Sequence, residues 1–391
     1  VGCVGGLPED SWSESTSRPT IIEKTPKVAE MTFIYKDRDD ISVFIPDVRE
    51  NASGTSWSQG DIGVGKSISL DQYYLARAGI DDEKSLNKAL EKSRGIVFTP
   101  GIYNLKEPLH VKKENTVLLG LGYATLQVDN KEGALLIDDV GGVRVGGLLF
   151  DAGAKSDYLI KVGDKKTSLS HADNPSVFSD IFARLGGKEN AHTEVEKMMI
   201  INQNDVIGDN FWLWRADHSY GINWEDSIED WGTSFGNPGD IGLEVNGDNV
   251  TCYGLMVEHF EKYQTFWNGE MGATYMYQSE TPYNVPSQEA WKSHEGQVDG
   301  YASYKVDDSV NNHKAYALGV YWVHWSLDSL ERAIEVPERE GVHLRHLVTT
   351  TFSGNDNGGI RHVVNDHGGA VGEGGSFRSL VEDYPMKGDR V

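Results

Sequence analysis

Glu258 and Glu280 stand 22 residues apart in VEHFEKYQTFWNGEMGATYMYQSETPY (257–283), a stretch otherwise built of strand-forming Tyr, Phe, Trp, Met and Thr. Surface acids ordinarily sit among other charges, whereas these sit among aromatics and amides. In a stack of parallel strands, residues one repeat apart lie on one face, with strands about 4.8 Å apart. Two carboxylates so placed repel, which favours one protonated donor beside one ionised partner. Glycoside hydrolysis needs that pair: one acid protonates the leaving oxygen and the other orients or activates water. The plain alternative is a pair of exposed acids on a sheet surface. The neighbours His259, Tyr263, Gln264, Gln278 and Tyr283 argue against it, because a sugar site wants aromatic platforms and amide donors.

A second cluster is NFWLWRADHSY (210–220). On a strand, Trp212 and Trp214 point to one face, opposite Leu213 and Arg215. Core packing remains the alternative for one of the two. Asp217 and His218 end the run as a turn, a metal-ligand pair or a pair that hydrogen-bonds substrate. No further His or Cys lies at metal-ligand spacing, so the expectation is no metal and no cofactor. Asp307-Asp308 reads as a solvated turn. Nucleophile-elbow, P-loop, dinucleotide-binding and zinc-protease motifs are missing from the sequence.

The elements that must position these residues read as all-β. Residues 1–75 form an irregular N-terminal and linker segment with short strands at MTFIYKD and ISVFIPDV. Residues 81–94 predict one short helix, capped by Asp81 or Asp82, with Leu86 and Leu90 on one face. From there, short β-rich runs broken by Gly, Asn or Asp share a template, as in DDVGGVRVGGLLFDAG and VNGDNVTCYGLMVEHF. The template recurs about every 20–25 residues, a solenoid period. The expected fold is a right-handed parallel β-helix over 76–391. A β-sandwich would show hairpin turns every 8–12 residues, and few are found. Segments 165–198 and 219–240 read as long loops that build one face of the site.

The net charge of −24, from 60 acids and 36 bases, disfavours nucleic acid and an anionic membrane as partners. It also disfavours a polyanionic polysaccharide, since Arg215 alone lies near the aromatic motifs. A neutral polysaccharide is the better fit. No run approaches the ~18–20 apolar residues of a membrane span. Cys3 and Cys252 do not make a disulfide framework. The opening VGCVGG lacks Met and a basic segment, which reads as a mature or cleaved product of a secreted, extracellular protein.

RGIVFTPGIYNLKEPLHVKKENTVLLGLGYATL resembles the opening coils of pectate-lyase-like β-helix proteins. WLWRADH, then VEHFEKYQTFWNG, then YMYQSETPY resemble, in order, motifs of the family-55 glycoside hydrolases, the β-1,3-glucanases. The resemblance is strong over 205–290 and weak over 95–365. It implies an inverting, exo-acting hydrolase of β-1,3-glucan, with Glu280 as general acid and Glu258 helping to hold the nucleophilic water. Family members carry two tandem β-helices, so it also implies an N-terminal β-helix partner or half beyond these residues. Two other readings stand beside it. One is a carbohydrate-binding or structural β-helix without turnover. The other is a polysaccharide lyase, which would need Lys or Arg around a uronate.

Overall fold

A computed structural model of the chain describes residues 2–4, 20–22 and 26–385, apart from 53, 154, 187–192, 218–236, 324–327, 353–357 and 373. Among these residues the chain is all-β, with one α-helix. From Val117 onward it passes back and forth between a long sheet of twelve strands and a shorter one of ten. Both are parallel except for a final antiparallel strand in each.

The helix is Glu83–Lys92. Asp82 caps it by accepting the Ser85 N–H at 2.9 Å, while the Asp82 N–H is donated to Ser85 Oγ at 3.1 Å. Its apolar side, Leu86 and Leu90, is buried against the first strands. Aromatics such as Phe98, Phe150, Phe178, Phe211, Trp267 and Trp322 fill the space between the sheets. At one corner, where strands of the shorter sheet end, three asparagines stack. Asn268 Nδ2 donates to Asn246 Oδ1, and Asn246 Nδ2 to Asn202 Oδ1, both at 2.8 Å. Each side chain satisfies the next, so the corner holds its register without apolar burial.

The strands of the long sheet carrying the candidate acids are Val206–Arg215, Thr251–Glu258 and Gly272–Glu280, followed by Asn312–Trp322. Each is bent at one residue with positive φ: Asn210, Gly254, Met276 and Ala317. These residues occupy the same register position, between the aligned pairs Asp209–Tyr253 and Phe211–Leu255 and their continuations. Gly147, Asp180 and His346 extend the column to neighbouring strands. A left-handed residue re-aims the strand that follows it, so each long strand is two short ones meeting at a bend.

Before the bend, the outer face is covered by residues 27–31: Ala29 packs with Val177 and Ile207, and Tyr253 OH donates to Lys27 O at 3.1 Å. Met31 lies over Gly146 and Gly147, where a β-carbon would come within 3.2 and 2.9 Å of its Cε. The three-stranded antiparallel sheet Phe33–Asp37, Asp40–Pro46 and Gly65–Ser69 covers Val97, Val117 and Leu119. Beyond the bend, side chains such as Trp212 stay exposed.

Two expectations need correction. Register partners on adjacent strands are 22 residues apart at Tyr74–Ile96, Gly95–Val117, Leu243–Thr265 and Thr251–Ala273, but 27 between Val117 and Arg144 and 44 between Ile207 and Thr251. Insertions between strands hide the period. The segment 165–198 is not one long loop, because it contains the strand Ser176–Leu185 and the start of Val195–Ile201. Asp180, at φ 51°, shifts the alternation phase inside SVFSDIFARL and masks it in the sequence. Most of 219–240 lies outside the described residues, and Gly239–Val245 is a strand of the shorter sheet.

Candidate active site

Alternation after the bend decides which side chains face outward. Phe211, Leu213 and Arg215 point in, and Trp212 and Trp214 point out, as the motif predicts. Trp212 aligns with Met256 and Gln278, and Trp214 with Glu258. Glu280 lies two residues beyond Gln278 and aligns with Tyr321 on its other side. The His259 N–H donates to the Glu280 carbonyl at 3.1 Å, which carries the parallel register one step past Glu258. Trp214, Glu258, Glu280 and Tyr321 therefore form one outward row across four adjacent strands.

Each acid is held through one oxygen. The Trp212 indole N–H donates to Glu258 Oε2 at 2.9 Å, and the Trp212 and Trp214 rings stack with centroids 5.6 Å apart. Tyr283 OH donates to Glu280 Oε2. Burial pushes the Tyr283 phenol far above its ordinary value, and so do its bond to Glu280 and the charges of Glu280, Asp217 and Glu258. The phenol thus stays protonated and remains a donor. Glu280 keeps 25% of its side chain exposed, whereas Glu258 is nearly covered.

Behind this row lies a buried scaffold. Asp217 accepts the Tyr283 backbone N–H at 2.8 Å, and its other oxygen is 3.5 Å from His259 Nδ1. His259 Nε2 is 3.7 Å from Glu280 Oε2, and its ring meets Tyr283 edge-on at 4.2 Å. Arg215, fully buried, ties the chain segments after three strands together. Its Nε donates to Asn237 O at 2.7 Å and Nη1 to His259 O at 2.9 Å and Asn284 Oδ1 at 3.0 Å. Nη2 reaches Glu261 at 3.3 Å. Sequence reading missed this clamp, although a charged residue in the inward phase of a strand was its signal. With its guanidinium enclosed, Arg215 cannot meet a uronate, which removes the one base on which a lyase reading leaned.

Not every residue proposed for sugar contact lies at this face. Asp217 and His259 are almost wholly buried and sit behind it. Gln264 is also buried, accepting the Phe260 N–H and donating to the Phe260 carbonyl, both at 2.7 Å. Its amide closes a tight loop. Tyr263 stacks on Phe266 of the shorter sheet and against Tyr301, away from the acids. His218 lies outside the described residues. Trp212, Trp214, Gln278 and Tyr283 converge on Glu258 and Glu280. Asp307 is the turn expected, accepting from Ser309 N at 2.9 Å. Cys252 is a buried free thiol.

The LAM55 pectate lyase-like domain model matches residues 74–280. An exo-beta-1,3-glucanase of Streptomyces sp. (strain SirexAA-E / ActE) is 39% identical over 385 residues, covering 98% of this chain and 60% of that protein. The structure of sacteLam55A from Streptomyces sp. SirexAA-E superposes with a TM-score of 0.87 at 38% identity, over 97% of this chain and 66% of that one. A variant of sacteLam55A in complex with glucose superposes at 0.86, over 96% and 65%. The chain thus spans under two thirds of the length of these relatives. It belongs to the LAM55 pectate lyase-like family, among the family-55 glycoside hydrolases that its motifs resemble.

Proposed function

We propose that this chain carries the hydrolytic residues of a secreted, inverting exo-β-1,3-glucanase, on a right-handed parallel β-helix whose coils are the successive passes between the two sheets. The observation that carries this reading is the row in which Glu258 and Glu280 are neighbours, each held through Oε2 by a different donor. Glu280 acts as general acid: Tyr283 occupies Oε2, so the proton resides on Oε1 and passes to the departing glycosidic oxygen. Glu258, with Trp212 on Oε2, accepts a hydrogen bond from water on Oε1. Water attacks the anomeric carbon from the face opposite the leaving group and passes its proton to Glu258 as the glycosidic bond breaks, giving inversion, for which such carboxyl pairs stand roughly 6.5–9.5 Å apart. Family membership and the exo-β-1,3-glucanase relative support the substrate class. A polymer too large to cross a membrane fits an extracellular enzyme.

The test separates the two acids by leaving group. Glu280→Gln lowers kcat on β-1,3-glucan by about 10²–10⁴, the usual worth of a general acid. It retains most activity on an aryl β-glucoside whose phenolate leaves without protonation. Glu258→Gln loses both. Equal losses on both substrates in Glu280→Gln contradict the assignment.

A second reading is a glucan-binding half-site completed by a further β-helix. It is favoured by the third or more of each relative that this chain does not span. Binding of glucan without turnover by the chain alone, with turnover restored by the remainder of a full-length relative, selects it.

A further inference from the structure

The aromatic surface does not stop at Trp214. Phe182, one strand before Trp212 and in register with it, meets the Trp212 ring edge-on at 6.3 Å. Tyr123 then meets Phe182 at 5.2 Å, again edge-on. Tyr123 comes from a strand two further along, and it reaches across because of an irregularity. In Val117–Val128, Leu119 pairs with Gly146 and Ala124 with Leu148, so residues 120–123 stand opposite the single residue Gly147. This bulge lifts Tyr123 over the intervening strand.

The fold gains nothing evident from that arrangement. Tyr123 is 56% exposed and Trp212 40%, so neither ring seals the core. Tyr123 also sits at φ 54°, which a residue with a β-carbon adopts at a cost. A contiguous exposed aromatic strip marks a binding surface rather than ordinary surface. Its continuity with Trp212, whose indole holds Glu258, says what binds. Sugar rings present flat C–H faces that stack on aromatic rings. A polar row runs beside the strip: Gln127, Asp151 and Arg184 align with Trp214, and the buried Asp151 accepts from Gln127 and Arg184 at 3.1–3.2 Å.

We propose that Phe182 and Tyr123 are remote sugar-binding positions that carry a β-glucan chain away from the acid pair along the outer face of the long sheet. The strand of Phe182 lies two steps from that of Glu258, about 10 Å at the usual strand spacing, and the Tyr123 ring lies a further 5.2 Å beyond the Phe182 ring. A disaccharide at the acids does not span the strip, whereas a polymer does. The inference rests on the glucanase reading and adds a chain-length preference to it.

The test compares kinetics on soluble β-1,3-glucan and on its disaccharide for wild type, Phe182→Ala, Tyr123→Gly and the double variant. Polymer KM rises about 5- to 10-fold for each single variant and further for the double one, while kcat and all disaccharide constants stay within twofold. Tyr123→Gly also relieves the left-handed backbone, so its Tm does not fall, which separates ring loss from misfolding. Tyr123→Trp restores polymer KM. Unchanged polymer KM, or equal losses on polymer and disaccharide, overturns the proposal. Should wild type bind polymer without hydrolysing it, the chain alone is not a sufficient enzyme, and the same variants' loss of polymer affinity still supports the strip. Should wild type neither bind nor hydrolyse it, both readings fall.

Discussion

Arg215→Met tests whether the site is held from behind. The side chain is fully buried and bonds to Asn237, His259, Asn284 and Glu261, with Asp217 3.6 Å away. Methionine matches its length and apolar stem but takes a cation away from Asp217 and Glu261, both buried. Removing one partner of a buried ion pair costs about 3–5 kcal/mol. With an unfolding entropy of about 2.1 cal/mol/K per residue, 391 residues give about 0.8 kcal/mol/K, so Tm falls by about 4–6 °C. Arg215→Lys keeps a charge but loses the planar fork and falls between Met and wild type. Differential scanning calorimetry reads the shift. Activity falls with it, because the clamp holds the backbone of His259 and the segment carrying Tyr283. A Tm for Arg215→Met within 1 °C of wild type refutes the claim that this guanidinium organises the loops behind the acids.

Tyr283→Phe removes a hydrogen bond to a carboxylate, worth about 1.5–3 kcal/mol, and lowers kcat roughly 10- to 100-fold with little change in Tm; unaltered kcat contradicts its role in orienting Glu280. Trp212→Phe keeps a ring but not the N–H on Glu258, and a similar fall in kcat is expected on both polymer and aryl glucoside. His313 is wholly buried beside Tyr304, and burial holds it down at about 3 against an ordinary 6.5. The unfolded chain therefore binds a proton that the folded one refuses. The stability associated with the neutral ring is complete above pH 6.5 and drains as pH falls toward 3, at about 1.4 kcal/mol per pH unit. Between pH 6.5 and 4 this is about 3 kcal/mol, or about 4 °C in Tm, and His313→Gln flattens that slope. Asp209 has the opposite sign: burial and the charges of Asp180 and Glu30 raise it to about 6. Its ionisation weakens the fold as pH climbs from 4 to 6, so Asp209→Asn raises Tm by a few degrees at pH 7 and by nothing at pH 4.

Much of the acid row was legible because no long insertion separates Thr251–Glu258 from Gly272–Glu280, so their 22-residue spacing is one step between paired parallel strands. Strand alternation likewise placed Trp212 and Trp214 together, since the bend at Asn210 precedes both. The bends themselves were hidden. Met276, Ala317 and His346 adopt positive φ without being turn-forming types, because the strands stacked on either side impose the conformation. Where Asp180 does the same, alternation breaks and a ten-residue strand reads as loop. Amide and acid side chains were the least legible. Gln264 and Gln278 look equivalent as sugar ligands, yet one closes its own loop and the other faces outward from a strand. Asp217 and Arg215 sit inside because their hydrogen-bond partners come from segments 20 to 70 residues away, which local pattern cannot show.

An inverting pair formed by Glu280 and Glu258 is tested by following the purified chain on soluble β-1,3-glucan by proton NMR from the first minute. α-Glucose is the first anomer released, with β-glucose growing in only by mutarotation. Release of β-glucose first, or of internal oligosaccharides without glucose, contradicts it.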